Sequence, residues 1–375
     1  MKKILLTFLV LVVVGLAAYA GWRFFQRGGS SILPVPSPQP TSPPGGASPS
    51  SSRLRALTET PVFSYWINPA NDAVHYITET GEVYRLTLGG EPQPVTTQPI
   101  QGLMEVIPSP DRLRALVSFG SREEPLFAVF DAAASRWQPL PEGTRAAAFG
   151  PTGENLALLV EQRRATSLFE FSLGDLKARE IAPLNVRDVT LSWPQEDTLY
   201  FADRPSASYP GSLWSFHIKN RTMERLIRDA RGLMVRWANN GTTGLSLYVN
   251  EQTIPFFEFI DGSGRVVIRA PFATLPQKCA LEEAIICAVP QKPLQNLPDS
   301  YLKREAYSED ALFAWNPITG KLQELFGQDE GIIDAEMLQV ANGKLYFLNR
   351  YDRRIYEFEL PINEEVPTPS PTGEE

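Results

Sequence analysis

Residues 149–182 read "FGPTGENLALLVEQRRATSLFEFSLGDLKAREIA". "GPTG" is turn chemistry, and "NLALLV" behind it is an apolar run of strand length rather than helix length. "LFEF" and "KAREIA" follow as further strand-like runs, each set off by a short polar break. The stretch therefore predicts consecutive antiparallel strands joined by tight turns. Whether it stands alone or recurs decides the fold.

It recurs. A phrase of apolar, aromatic, any and apolar residues returns seven times, as "VYRL" at Tyr84, "LFAV" at Phe127, "LFEF" at Phe169, "LWSF" at Trp214, "FFEF" at Phe257, "LFAW" at Phe313 and "IYEF" at Tyr356. The spacings are 43, 42, 45, 43, 56 and 43 residues. A turn entry followed five residues later by an apolar strand accompanies each copy, at 69/74, 110/115, 151/156, 194/199, 240/245, 281/286 and 340/345. Runs such as "MERLIR", "RVVIR" and "KLQELF" supply a further strand in each unit.

A repeat of roughly 40 to 45 residues carrying four antiparallel strands is the signature of a β-propeller blade. The expected fold is all-β: a seven-bladed β-propeller of four-stranded antiparallel blades over residues 53–361, preceded by one N-terminal transmembrane helix. The last unit stops at "RIYEFEL" one strand short, while "SRLRALTE" at 52–59 stands ahead of the first. The N-terminal strand is therefore expected to complete the seventh blade and close the ring, which hides the sheet edges. The seven aromatics are expected to fill the gaps between twisted sheets rather than to form a stacking cage.

Units such as "FGPTGENLALLV" and "IPSPDRLRALV" resemble the TolB-type, WD-repeat-like propeller motif, whose consensus sets Ser-Pro-Asp-Gly before an apolar strand. No unit keeps the full turn, and the Gly-His and Trp-Asp signatures of true WD repeats are absent. The resemblance implies a propeller that binds partners or ligands, and it implies no specific reaction. The stretch around the cysteines also resembles one found in uncharacterised membrane-anchored bacterial propellers.

The chain opens "MKKILLTFLVLVVVGLAAYAGWRFFQR", with an apolar run from Ile4 to Trp22. That run matches the hydrocarbon thickness of a bilayer, and Trp22, Arg23, Phe24, Phe25 and Arg27 suit an interfacial anchor. "AYA" at 18–20 is the competing signal, a cleavage site that would release the chain after Ala20. Both readings place the remainder outside the cytoplasm. Residues 28–52, rich in Pro, Ser and Gly, read as a spacer, and 362–375 as a disordered tail.

Beyond residue 27, 31 basic side chains face 43 acidic ones. Nucleic acid is thereby excluded as a partner, because phosphate binding needs clustered Lys and Arg. The expected partners are the membrane, through the N-terminal helix, and a protein or glycan of the cell envelope.

Cys279 and Cys287 are the only cysteines. Their spacing fits neither zinc nor thioredoxin-like motifs. "CALEEAIICAV" aligns without gaps on the third unit, so a loop of Glu282, Glu283 and Ala284 sets the two opposite each other across a hairpin. In an oxidising compartment that geometry predicts a disulfide.

Catalytic signals are weak. His75 and His217 occupy ordinary strand positions, no G-x-S-x-G elbow occurs, and "DGSG" at 261–264 is hairpin chemistry rather than a calcium loop. Glu123 and Glu124, like Glu282 and Glu283, read as solvated turns. No catalytic residue, metal or cofactor is assigned. The sixth unit, however, carries an insertion at 290–310 between its second and third strands, on the face where a propeller's channel opens, and long loops in compact domains are often functional. Asp299, Tyr301, Lys303, Arg304, Glu305 and Tyr307 are its candidate ligand-binding residues. Arg145, Asp188, Lys278 and Asp334 join them, lying near the starts of first strands that line the channel. The expected function is a binding or scaffold module; the alternative is a hydrolase or lyase acting on a saccharide or peptide at the channel mouth.

Overall fold

In the third unit, "GPTG" closes the first hairpin. Gly150 N–H donates to the Asn155 carbonyl (2.8 Å) and Gly153 N–H to the Gly150 carbonyl (3.0 Å), with Gly153 at φ 78°. In the second unit Ser109 and Arg112 repeat the pattern, and Arg112 holds φ 60° where the consensus motif has glycine. That left-handed conformation costs a non-glycine residue about 1 kcal/mol, so the motif's geometry outlasts its sequence.

The computed structural model describes residues 53–361 apart from 69–72, 88, 97, 163–164 and 282–284. The expected anchor, spacer and tail lie outside the described residues. Among the described residues no helix is long and apolar enough to cross a membrane.

From the turn onward the strands pair in sequence order. Thr144–Phe149, Asn155–Gln162, Ala165–Ser172 and Ala178–Leu184 form one antiparallel sheet. The second strand is buried over most of its length and the fourth is largely exposed, so the run "NLALLV" is apolar on both faces because both faces pack. Five sheets have four strands and one has seven. In the seven-stranded sheet the strand Thr222–Trp237 pairs with Pro210–His217 through Thr222–Arg231, and with Thr243–Val249 through Arg231–Trp237.

The first and last strands of the described residues meet as the sequence requires. Leu54–Ala56 joins the sheet of Ala335–Ala341, Lys344–Asn349 and Arg354–Glu359, with Leu54 opposite Phe358 and Ala56 opposite Tyr356. Leu54 is buried with Leu345 and Phe358, and the Arg55 Nε reaches the Glu357 carboxylate at 2.6 Å.

The core lies between neighbouring units. Tyr65, Ile67 and Tyr76 of the first unit pack on Tyr346, Leu348 and Ile355 of the last. Trp66 and Ile77 likewise meet Val117 and Phe130 of the second unit. All seven repeat aromatics sit on third strands and pack in such clusters: Phe257 and Tyr356 are buried, and the other five are half-buried. Cys279 and Cys287 pair directly in register, 4.0 Å apart at Cα, and are disulfide-bonded and fully buried. The loop predicted between them, 282–284, lies outside the described residues.

Candidate functional site

Antiparallel pairing puts the starts of first strands and the loops between second and third strands at one end of the molecule. A cavity of about 610 Å³ opens there. Its walls come largely from first strands, and those of the second and third units carry a bulge at their start. The register skips Met104 between Leu103 and Glu105, and skips Arg145 between Thr144 and Ala146. A bulge leaves one residue unpaired and re-aims its side chain; both Met104 and Arg145 line the cavity.

The sixth unit's insertion covers part of this opening. After Ile285–Pro290 the chain runs through a single helical turn, Asp299–Leu302, before returning as Asp310–Trp315. Asp299 Oδ2 accepts a hydrogen bond from Ala207 N–H at 2.5 Å, so the insertion reaches the loop after the fourth unit's second strand. Pro298 lies against Gly232, where a Cβ would come within 2.8 Å of the proline Cδ. Gly232 also holds φ 65°, so this crossing requires glycine twice over. Asp299, Leu302 and Lys303 then face the cavity.

A buried ionic cluster anchors the insertion. Lys278 Nζ lies 2.8 Å from Asp310 Oδ2 and 2.6 Å from Asp334 Oδ1, all three side chains being wholly buried. It also donates to Ser308 Oγ at 3.1 Å. Arg350 donates to Asp334 Oδ2 (2.9 Å) and to the carbonyls of Ala306 and Tyr301 (both 3.1 Å). Its guanidinium stands 3.8 Å above the Tyr301 ring centroid. Tyr307 stacks on Tyr351, whose hydroxyl donates to the Ser308 carbonyl. Burying charges is unfavourable unless they are paired and hydrogen-bonded, and here each charge meets a partner from the insertion or the seventh unit.

The electrostatics follow from that pairing. Burial lowers the Lys278 ammonium's affinity for its proton, but Asp310 and Asp334 together hold it above its ordinary value. Burial pushes the Asp310 carboxyl up to about 6 despite Lys278. Burial also pushes on Asp334, yet Lys278 and Arg350 keep it below the usual carboxylate range.

Of the sequence candidates, Arg145, Asp299 and Lys303 line the cavity. Lys278 and Asp334, expected on the channel wall, are instead sealed in the ionic cluster, and Tyr301 is buried beneath Arg350. The reason is that opposite charges from the sixth and seventh units converge on the first-strand starts, where a lone Lys or Asp would have faced water. Tyr307 is half-buried, Arg304 and Glu305 are exposed outside the lining, and Asp188 is exposed at φ 52° ahead of Val189. His75 stacks on Trp66, and burial followed by the nearby Arg85 lowers it to about 4. His217 contacts Thr198, and neither histidine reaches the cavity.

Sequence reading missed Glu105, Arg122 and Arg204 on the cavity wall, and Asp310 and Arg350 in the cluster. A signal existed. Arg122, Arg204 and Arg350 each lie one or two residues past the end of a second strand, at Gly120, Asp203 and Asn349. Glu105 is exposed on the cavity wall, and partial desolvation there raises its carboxyl, with Arg204 opposing. Asp203 and Asp299 are committed to backbone amides, those of Ser212 (2.8 Å) and Ala207. Among the described residues no three His, Cys, Asp or Glu side chains converge as a metal site would need. A second groove, about 800 Å³, runs past Tyr76, Tyr84, Glu79 and Glu91 on the first unit, away from the insertion.

Neither a protein-family model nor a curated protein matches the sequence. Solved structures match the fold. An oligogalacturonate lyase in complex with manganese is 11% identical, over 84% of this chain and 94% of that one, with a TM-score of 0.58. An uncharacterized protein from Listeria monocytogenes is 13% identical, over 83% and 99%, with a TM-score of 0.52. The fold is a β-propeller. TolB from Acinetobacter baumannii is also among the matches, at 10% identity over 78% of this chain and 62% of that one, with a TM-score of 0.42. At these identities the likeness is one of fold, and a propeller carries its function in its site.

Proposed function

We propose that this propeller is a membrane-tethered, extracytoplasmic binding module whose ligand, a protein or envelope glycan, docks at the channel mouth beneath the sixth unit's insertion. The observation that carries the reading is the Asp299 to Ala207 hydrogen bond, by which an insertion from one unit crosses to another and walls a cavity. Such a loop on a rigid scaffold is how propellers and other all-β folds present binding residues. The tether rests on the apolar run from Ile4 to Trp22 and the Pro/Ser spacer after it.

A blade number of seven belongs to the same proposal. Two observations support it: the 16-residue strand Thr222–Trp237 serves two four-stranded units at once, and a hydrophobic cluster lies between each consecutive pair of units, the last and first included.

A second reading, a lyase or hydrolase acting on a saccharide or peptide at this mouth, has Glu105 in its favour. A channel-wall carboxyl held above its ordinary value suits a general acid or base. Against it, the other two carboxylates on the lining, Asp203 and Asp299, are each oriented by a backbone hydrogen bond rather than towards Glu105.

Capture from envelope extract tests the placement. The full-length chain is compared with Leu302→Trp, which fills the cavity from an exposed position. A partner held by the parent chain and lost with the variant supports the reading. Equal capture by both places the binding surface elsewhere.

A further inference from the structure

We propose that the channel mouth recognises an oxyanion on its ligand, a carboxylate or phosphate, through Arg122, Arg204, Lys303 and Arg145. The inference rests on the reading of the mouth as a ligand site and adds the chemistry of what it takes.

Topology brings the four cations together. Arg122 and Arg204 follow the second strands of the second and fourth units, Lys303 closes the helical turn of the insertion, and Arg145 is the bulge residue at the start of the third unit's first strand. All four positions belong to one end of the antiparallel units, and all four side chains line the same cavity. They come from four units, so no local helix or strand pattern accounts for their meeting.

Arg122, Arg204 and Lys303 are exposed and Arg145 is half-buried, and their pairing differs from that of the buried cations. Lys278 and Arg350 each hold carboxylates within 3 Å. Arg122, Arg204 and Lys303 make no ion pair or side-chain hydrogen bond among the described residues, and Arg145 is held in place by Glu161 (2.6 Å) and the Glu123 carbonyl. Three cations with unused donors thus stand around one cavity in a segment where 43 acidic side chains outnumber 31 basic ones. Each guanidinium offers five N–H donors in a fork that fits carboxylate or phosphate oxygens in pairs.

Three carboxylates on the lining, Glu105, Asp203 and Asp299, offset part of the charge of the four cations, and Glu105 interacts electrostatically with Arg204. Asp203 and Asp299 accept from the amides of Ser212 and Ala207, and only Glu105 keeps both oxygens free. The hydroxyls of Ser118, Thr190 and Ser192 add neutral hydrogen-bonding groups on the same wall. About 610 Å³ is the size of a small-molecule pocket, and its low-dielectric walls focus the field of the cations on an approaching anion.

The test is calorimetric titration of the full-length chain in detergent micelles with three probes: a uronic acid disaccharide, the matching neutral disaccharide and inorganic pyrophosphate. The inference expects binding of at least one anion that weakens as salt rises. It also expects the neutral sugar to bind at least about tenfold more weakly, and Arg122→Gln and Arg204→Gln each to lose about tenfold, with Arg204→Lys recovering part. The anion that binds distinguishes carboxylate from phosphate. Failure of both anions, or equal binding of the neutral sugar, overturns the inference. If the disaccharides bind regardless of charge but not to Leu302→Trp, the site stands and the charge reading falls. If an anion binds equally to parent, Arg204→Gln and Leu302→Trp, both fall.

Discussion

Asp299 of the sixth unit accepts its hydrogen bond from the backbone of Ala207, a residue of the fourth unit 92 positions earlier in the chain. The contact turns the insertion into a strap that reaches the fourth unit beside the cavity, and both ends of that strap are fixed. One end is this bond, and the other is the buried cluster around Lys278.

Asp299→Ala removes the acceptor and leaves the Ala207 amide without one. The expected cost is about 1–2 kcal/mol of stability, as for a partly buried, charge-assisted hydrogen bond. Amide exchange at 206–208 should accelerate while exchange in the sixth unit's second strand stays unchanged. Uniform acceleration over both would contradict the strap.

Lys278→Met should be far more damaging. It strands Asp310 and leaves Asp334 with Arg350 alone, and breaking a buried pair from one side costs about 3–5 kcal/mol. Adding Asp310→Asn removes the uncompensated charge and should restore a substantial part. Thermal melts of the single and double variants check this; no recovery in the double variant would mean that Asp310 stays uncharged without Lys278.

His75 gives a pH dependence with a defined sign. Its value falls from 6.5 to about 4 on folding, through burial and then Arg85. Between those values the unfolded chain binds the proton more readily, so stability is fully present above pH 6.5 and declines as pH falls towards 4. The decline attributable to this group is of order 3 kcal/mol. His75→Phe, which keeps a ring beside Trp66, should flatten that part of the stability curve relative to the parent. Parallel curves would contradict the assignment.

The disulfide closes a short hairpin. Chain-entropy reasoning gives about 2–3 kcal/mol for a loop of this length, so reduction should lower the melting temperature without abolishing folding. Thiol labelling of the unfolded chain should find no free thiol before reduction and two after. Two reactive thiols before reduction would refute the pairing of Cys279 with Cys287.

Much of the fold was legible because a propeller repeats its instructions. "GPTG" and "SPDR" mark the same hairpin although only the first keeps glycine at the left-handed position, and the seven aromatics mark third strands. The direct opposition of Cys279 and Cys287 followed from aligning two units. The long strand Thr222–Trp237 did not, since "MERLIR" and "MVRW" look like separate strands and only their shared backbone path joins two units. Nor was depth legible. Lys278, Asp334 and Tyr301 were placed correctly along the chain, but their burial depends on Asp310 and Arg350 arriving from other strands. The cavity cations were hidden for a similar reason: Arg122 and Arg204 look like ordinary loop residues until the units are superposed in register.

The central claim, that partners dock at the strap-covered mouth, is tested most directly by position-resolved photo-crosslinking on the membrane-bound chain. A photoreactive amino acid at Glu305, exposed on the insertion, is compared with one at Ile318, which is 91% exposed on the loop between the sixth unit's third and fourth strands, at the opposite end. The account predicts a defined crosslinked species from position 305, diminished by Leu302→Trp, and none from 318. A defined species from 318 with none from 305 would contradict it.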